Sequence, residues 1–187
     1  HSIRELINRL EKSGARCRVS TISAGFGILR ESDKLPSYSA TFQSNVPETI
    51  IPSDTPSYNQ YRRDWLTRST ETFWGPRRCN LLKLRSKDSL TITLLSPVYL
   101  EAVREQLTQI SPSQLLVFAT TRSDKVGFAD SIVPLNSDLQ EHLGGSRVSL
   151  GVRMAQSLLE AKKRHKEITP CKANAYFNEL AAKYGNR

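Results

Sequence analysis

The stretch that decides the fold is residues 90–119, LTITLLSPVYLEAVREQLTQISPSQLLVFA. Its β-branched start predicts a strand over residues 90–95, and the Ser-Pro pair at 96–97 supplies a cap and a first-turn proline for a helix that runs to about residue 110. The Ser-Pro-Ser at 111–113 ends that helix, and the apolar run at 114–119 predicts a buried strand. Strands separated by a helix in this way are typical of an α/β fold with a mainly parallel sheet.

Further elements flank this unit on both sides. Apolar residues at helical spacing predict helices over residues 3–13, 58–73, 147–166 and 169–184. Shorter strands are predicted over residues 17–23, 80–85 and 131–135. We therefore expect an α/β fold whose mainly parallel sheet is flanked by helices and followed by a C-terminal helical hairpin. The expected domains are an α/β domain, residues 1–146, and a basic helical extension packed on it, residues 147–187.

The composition is that of a folded domain. The chain has 187 residues, of which 38% are hydrophobic and 24% are charged, a balance that excludes intrinsic disorder. No apolar run approaches the roughly 20 residues of a transmembrane helix, and no signal peptide is recognisable, so no membrane partner is expected. The three cysteines are scattered without CxxC spacing, which favours reduced thiols in the cytoplasm over a zinc site. We expect neither a metal nor a cofactor.

The charge is concentrated in two basic segments. Lys and Arg number 27 and Asp and Glu number 18, which gives a net charge of +9. Residues 61–87 hold 8 basic against 2 acidic side chains and residues 147–187 hold 9 against 3, whereas residues 88–146 hold 3 against 7. Clustered Lys and Arg attract phosphates and release condensed counterions on binding. We predict a nucleic-acid partner, with DNA favoured over RNA; the alternatives are a surface that only confers solubility and an anionic membrane surface.

Aromatic and basic side chains alternate in and after the helix predicted over residues 58–73. Aromatic faces stack on unpaired bases, while arginine pairs with phosphate through two parallel hydrogen bonds. Tyr61 and Trp65 at helical spacing are also typical of core residues, so the arginines, which are harder to bury, are the stronger candidates. The residues predicted to contact nucleic acid are Arg62, Arg63, Arg68, Arg77, Arg78, Lys83, Arg85, Lys162, Lys163, Arg164 and Lys172.

The two C-terminal helices allow two interpretations. As a helix-turn-helix, they would place Lys172, Asn174 and Asn178 in a groove of DNA. A packed helical hairpin is the more frequent product of such a pattern. The basic residues at 162–166 also complement the macrodipole at a helix C-terminus, so part of this cluster needs no functional explanation.

A glycine-containing turn follows the strand predicted over residues 17–23. In Ser23-Ala24-Gly25-Phe26-Gly27 the two glycines let the backbone approach an anion, and exposed N–H groups could hold a phosphate. The full dinucleotide-binding fingerprint fails, because Arg30 stands at the third glycine position. The alternative is a turn that simply needs a positive φ.

One catalytic pattern lies in the loop after the buried strand. Asp130 could act as a base and Lys125 could hold an anion there, because sites in open α/β sheets form at the carboxyl ends of the strands. A solvated ion pair in a loop is the alternative. An enzyme acting on a nucleotide or nucleobase is therefore one alternative function, and a structural subunit that binds an acidic protein partner is another.

The segments VSTISAGFGIL at residues 19–29 and LPSYSATF at residues 35–42 resemble bacterial proteins related to the peroxide-stress protein YaaA. In that family a strand ends in a Ser-Ala-(Lys/Gly)-(Tyr/Phe)-Gly-Leu turn, and a Pro-x-Tyr segment follows shortly after. The resemblance covers residues 17–110 and implies an α/β fold, association with nucleic acid, and membership in systems for DNA protection or modification. It carries over the candidate ligand-site residues Ser23, Gly25, Gly27 and Tyr38.

The chain departs from that family pattern in two places. The opening strand with its Ser/Cys-Lys signature is absent, and Gly25 stands where Lys is common. The first residue is His1 rather than Met, which we interpret as a tag remnant or as the start of a fragment that lacks an N-terminal element. Charge and resemblance together predict a cytoplasmic, bacterial DNA-binding component of a DNA-protection, antiviral defence or DNA-modification system, with protein partners in a larger assembly.

Overall fold

The chain forms two compact units that alternate along the sequence. The computed structural model describes residues 2–12, 14, 16–76, 89–119, 129–135, 137–144, 147–162 and 168–184. The first unit comprises His1–Cys17, Asp88–Leu95 and Ile110–Arg187, and the second comprises Arg18–Lys87 and Ser96–Gln109. The predicted domain boundary after residue 146 stays a prediction.

Short strands and helices of mixed length make up both units. The strands are β1 (Ser20–Ser23), β2 (Gly27–Arg30), β3 (Thr91–Thr93), β4 (Leu115–Ala119) and β5 (Ile132–Pro134). The helices are α1 (Ser2–Lys12), α2 (Tyr58–Trp74), α3 (Pro97–Ala102), α4 (Arg104–Leu107), α5 (Leu139–Leu143), α6 (Arg147–Lys162) and α7 (Pro170–Tyr184). The 3-10 turns Pro112–Gln114 and Ala129–Ser131 directly precede β4 and β5. Across the described segments, none of these helices has the length and apolar character that crossing a membrane requires.

A parallel sheet lies at the centre of the first unit. Its three strands are in the order β3-β4-β5, with Thr91 opposite Leu115 and Val117 opposite Ile132. β4 is buried along its whole length, as expected for the central strand of a parallel sheet that is covered on both faces. This burial explains why residues 115–119 form an uninterrupted apolar run rather than an alternating one.

The C-terminal helices supply much of the core of the first unit. α6 contacts α1, α5 and β4, and α7 contacts β5. Met154 and Ala155 of α6 are fully buried, and Phe177 of α7 meets Phe118 of β4 edge to face, with ring centroids 6.1 Å apart. Burying a large apolar side chain contributes about 1.5–3 kcal/mol, so both helices stabilise the sheet.

The predicted fold class is confirmed. The chain is α/β, with a parallel three-stranded sheet and two long helices at its C-terminal end. β3, β4 and β5 each lie within a predicted strand, and Pro97 opens α3 after the N-cap Ser96, as the sequence predicts. The strand predicted over residues 80–85 and the predicted helix end at 163–166 lie outside the described residues.

The segment after Pro97 is two short helices, so the prediction of a single helix is wrong. Val103 has φ −108° and ψ 8° between α3 and α4, which is outside the helical region. Val103 is itself buried, as are Leu100 and Leu107 on either side. Tertiary packing therefore overrides the helical propensity of this segment. The sequence predicts neither β2 nor α5, because four or five residues are too few to show a period.

A β-hairpin packed on α2 forms one part of the second unit. β1 and β2 pair antiparallel with Ser23 opposite Gly27, so the predicted tight turn is the turn of a hairpin. Gly27 has φ 76°, which favours glycine, and a methyl group on it would lie 2.6 Å from the backbone nitrogen of Thr70 in α2. Both the turn and the close approach of the helix therefore require glycine at this position.

We expect Gly27→Ala to lower the free energy of unfolding by about 2–5 kcal/mol, since backbone strain and overlap with α2 add together. Gly75→Ala is the matched control, because Gly75 has a similar φ of 81° in the same unit but nothing within 4 Å of the added methyl. In the control, only the backbone strain should lower the free energy of unfolding, by about 1–3 kcal/mol. Urea denaturation measures both variants. Equal losses would show that the approach of α2 does not constrain Gly27.

Candidate nucleic-acid interface

α2 carries the predicted aromatic and basic cluster. Its N-cap Ser57 accepts a hydrogen bond from the backbone of Gln60, and Gly75 ends the helix. The buried face is unusually polar, with residues at helical spacing: Arg62, Leu66, Ser69 and Thr70. One of the side chains predicted to contact nucleic acid, Arg62, is therefore buried in the second unit.

Arg62 is buried, with 7% of its surface exposed, so the expectation that the arginines of this helix resist burial is wrong for it. Its Nε and Nη2 donate to the backbone carbonyl of Phe42 at 3.1 and 3.0 Å, and its Nη1 donates to Asn59 at 2.9 Å. The pKa of Arg62 is lowered by burial, which outweighs the electrostatic effects of Glu101 and Tyr58 that raise it. The side chain stays charged, because an arginine pKa lies far above neutrality. Arg62 thus anchors a loop to α2.

Arg63 is engaged in an ion-pair cluster. Its Nη1 donates to Glu101 at 2.5 Å and its Nη2 to Gln60 at 2.8 Å, and its Nε lies 3.4 Å from Glu105. Glu101 is nearly buried, and a buried carboxylate is strongly destabilising without its partner. A phosphate would therefore have to compete with two carboxylates for Arg63. The spacing of Glu101 and Glu105, four residues apart, is the sequence signal that could identify this partner of Arg63.

The other predicted basic residues fall into three groups. Arg68 is exposed on α2, and among the described residues no ion pair involves it. Lys172 is exposed in the first turn of α7, and Lys162 is the last residue of α6. Outside the described residues lie Arg77, Arg78, Lys83, Arg85, Lys163 and Arg164.

The predicted phosphate turn is closed by its own serine. Ser23 is 3% exposed, and its hydroxyl oxygen accepts from the N–H groups of Gly25 at 3.2 Å and Phe26 at 3.0 Å. The same oxygen lies 2.7 Å from the hydroxyl of Tyr38. The N–H groups expected to hold an anion are thus engaged, and a phosphate would first have to displace the Ser23 side chain. Ser23, Gly25 and Tyr38 lie close together, and anion binding at the turn stays a prediction.

Two tryptophans of α2 hold this turn from the helix side. Trp65 Nε1 donates to the Ala24 carbonyl at 2.6 Å, and Trp74 Nε1 donates to the Phe26 carbonyl at 2.8 Å. With Thr70, whose hydroxyl oxygen accepts from the backbone of β2 at 2.9 Å, they form what we call the hairpin clasp. Trp65 therefore serves the fold, as the core interpretation of this aromatic pattern predicts.

The clasp leaves other aromatic rings of the second unit at the surface. Phe26, half-buried at the tip of the hairpin, meets the ring of Tyr38 at 4.8 Å and the ring of Phe73 at 4.9 Å between centroids. Tyr38 is 44% exposed and Phe73 is 51% exposed. The sequence did not single out Phe26; an aromatic residue between two glycines of a tight turn is the signal that could have identified it.

Asp130 lies at the wrong edge of the sheet for the predicted pocket. It is exposed in the 3-10 turn directly before β5, and this turn contacts the one directly before β4. Because the strands are parallel, both turns lie at the amino-terminal edge, opposite the edge at which α/β sites form. Asp130 therefore comes just before β5 and not at the end of β4 where the predicted pocket would form. Its proposed partner Lys125 lies outside the described residues.

Apolar packing occupies the described part of the carboxyl-terminal edge. Leu94 and Leu135 follow β3 and β5, and a methyl group on Gly151 of α6 would lie 3.4 Å from each of their side chains. Because Gly151 has no side chain, α6 can lie close to this edge of the sheet. Among the described residues, no group of three acidic, histidine or cysteine side chains could hold a metal ion.

α7 is fixed to the sheet by one of the residues predicted to enter a DNA groove. Asn174 Nδ2 donates to the carbonyl of Ile132 in β5 at 2.9 Å, so this amide is engaged within the domain, and the helix-turn-helix interpretation stays a prediction. The hydroxyls of Ser157 in α6 and Tyr176 in α7 lie 2.8 Å apart. These bonds are those of helices packed into a domain, whereas Asn178 and Lys172 remain exposed.

Comparisons with protein-family models, with curated proteins and with solved structures found no match for this chain. The resemblance to the YaaA-related family therefore stays a prediction that is carried by residues 19–29 and 35–42.

We expect Arg62→Ala to lower the free energy of unfolding by about 2–4 kcal/mol, because it removes charged hydrogen bonds and leaves the Phe42 carbonyl unsatisfied. Arg68→Ala, on the exposed side of the same helix, should change it by less than about 0.5 kcal/mol. Chemical denaturation of the two variants provides the comparison. Similar values for both would mean that Arg62 does not anchor the loop.

The turn gives a second pair of variants. Ser23→Ala removes the acceptor of two backbone N–H groups and should cost about 1–3 kcal/mol, whereas Tyr38→Phe removes only the bond between hydroxyls and should cost about 0.5–1.5 kcal/mol. Urea denaturation with near-ultraviolet circular dichroism follows the loss of packing around the aromatic residues. A Ser23→Ala variant as stable as the wild type would show that the serine does not close the turn.

Proposed function

We propose that the protein binds nucleic acid, DNA in preference to RNA, through residues 62–87 and 147–172. The observation that carries the proposal is the charge distribution, with two basic segments of net +6 each around an acidic middle of net −4. Two separate segments of high positive charge favour a polyanion, because each phosphate contact releases condensed counterions. If the positive charge served solubility alone, it would not need to be concentrated in two segments.

The first basic segment acts mainly through its later residues. Arg62 anchors a loop and Arg63 pairs with Glu101, so neither is retained as a phosphate contact. The exposed Arg68 remains from α2. The other members of this contact set are assigned from sequence alone: Arg77, Arg78, Lys83 and Arg85.

In the second basic segment, one acidic side chain forms an ion pair with an arginine of another helix. Glu160, one of three acidic residues in 147–187, pairs with Arg9 of α1, which also binds Glu5 at 2.7 Å. Glu160 is therefore engaged by a cation from outside the segment, and the lysines and arginines of the segment keep their excess. Its proposed phosphate contacts are Lys162, Lys163, Arg164 and Lys172.

The wider setting of the proposal is a bacterial system for DNA protection, defence or modification, with protein partners in a larger assembly. It rests on the resemblance at residues 19–29 and 35–42. The alternative of an enzyme acting on a nucleotide or nucleobase loses support, since Asp130 lies at the amino-terminal edge of the sheet.

We expect the double charge reversal Arg77→Glu and Arg78→Glu to weaken binding to a labelled duplex at least tenfold at moderate salt. The slope of log affinity against log salt should fall by about 1.8, because each phosphate contact contributes about 0.9. Fluorescence anisotropy across a salt series measures both quantities. The matched control is Arg4→Glu with Arg16→Glu, which changes the net charge equally at two exposed positions outside the basic segments.

The control should leave the salt slope within error of the wild type. If both double variants lose affinity equally, only the total charge matters, and residues 77 and 78 are not contacts. If the wild type co-purifies with an acidic protein and binds no nucleic acid at low salt, the protein is a structural subunit and the proposal is wrong.

A further inference from the structure

Phe26, Tyr38 and Phe73 form a continuous cluster of rings at the tip of the hairpin, which we call the aromatic cluster. Phe26 lies between the other two, at interplanar angles of 83° to Tyr38 and 61° to Phe73. The two outer residues are exposed to solvent, Tyr38 by 44% and Phe73 by 51%. An organised apolar cluster on the surface is typical of a contact site.

The aromatic cluster is held in place without a ligand. The hydroxyl of Tyr38 is hydrogen bonded to Ser23, and the backbone of Phe26 is fixed at its N–H by Ser23 and at its carbonyl by Trp74. Phe73 belongs to the last turn of α2. Because these rings are already ordered, binding to them incurs little additional loss of side-chain entropy.

We propose that the aromatic cluster is a stacking platform for unpaired bases, so that the nucleic acid in contact with this part of the protein is single-stranded. The inference rests on the proposed function and specifies the form of the ligand. Aromatic faces stack on bases of any sequence, and only bases that are released from a duplex offer a free face. Tyr38 and Phe73, exposed on either side of Phe26, are the rings that meet the bases.

The residue types at the surface favour bases over an apolar protein partner. Among the described residues of the second unit, every exposed large apolar side chain is aromatic: Tyr38, Tyr58 and Phe73. Aliphatic side chains nearby in sequence, such as Ile28 and Leu29, are buried. Phe73 also lies within residues 61–87, where the net charge is +6. Exposed rings in a strongly basic segment are the combination that single-strand binding uses.

The test measures the affinity of the full chain for a short labelled oligo(dT) and for a duplex of the same length by fluorescence anisotropy. Phe73→Leu keeps an apolar side chain and removes the ring, and we expect it to weaken oligo(dT) binding by about 5- to 150-fold. Phe73→Trp should bind oligo(dT) at least as tightly as the wild type, because it keeps a ring at this position. The salt slope should not change, since no phosphate contact is lost.

The outcomes separate this inference from the proposed function. Wild-type binding to oligo(dT) that Phe73→Leu does not weaken overturns the platform and assigns the aromatic cluster to an apolar protein partner. A loss of equal size on oligo(dT) and on duplex also overturns it, because the cluster would then not select unpaired bases. Absence of all binding by the wild type refutes the proposed function itself. Melting temperatures of all variants check that each is folded.

Discussion

The hairpin clasp is the constraint on which the second unit depends. A tight turn leaves carbonyl groups without partners, and here two of them accept from the indole nitrogens of Trp65 and Trp74. Thr70 accepts from β2 between these two contacts, and Gly27 lets the helix come close enough for all three. With the turn fixed to α2 in this way, Ser23 closes its inner side and Phe26 is carried to the surface. The aromatic cluster is thus a consequence of how the hairpin is held.

The same helix serves both the fold and the proposed interface, and the division follows its faces. Arg62 donates to a backbone carbonyl and Arg63 pairs with carboxylates within the unit. Arg68 and Phe73, in contrast, are exposed. A run of aromatic and basic residues is therefore not an interface as a whole. Its positive charge attracts phosphate only where the guanidinium groups have no internal partner, which moves the proposed contacts toward the later part of the basic segment.

Local patterns predicted the elements well, and contacts distant in sequence explain the failures. β4 and the start of α6 could be predicted because an apolar run and a helical period are visible in this sequence alone. The burial of Arg62 depends on a carbonyl at residue 42, twenty positions away, and no local signal gives this distance. The position of Asp130 at the amino-terminal edge depends on where β5 begins, and the sequence does not show whether a residue between two strands lies nearer the first or the second. The candidate turn was found from its glycines, yet the serine that closes it acts through side-chain geometry that composition does not encode.

We propose that the basic segments attract nucleic acid and that the exposed rings on the clasped hairpin select unpaired bases. The most direct test is the binding of the wild-type chain to oligo(dT) and to duplex DNA across a salt series, followed by fluorescence anisotropy. The account predicts binding whose affinity falls steeply with salt on both ligands, because phosphate contacts dominate, together with tighter binding to oligo(dT) at every salt concentration. Binding that is absent at low salt, or that favours the duplex throughout, would contradict it.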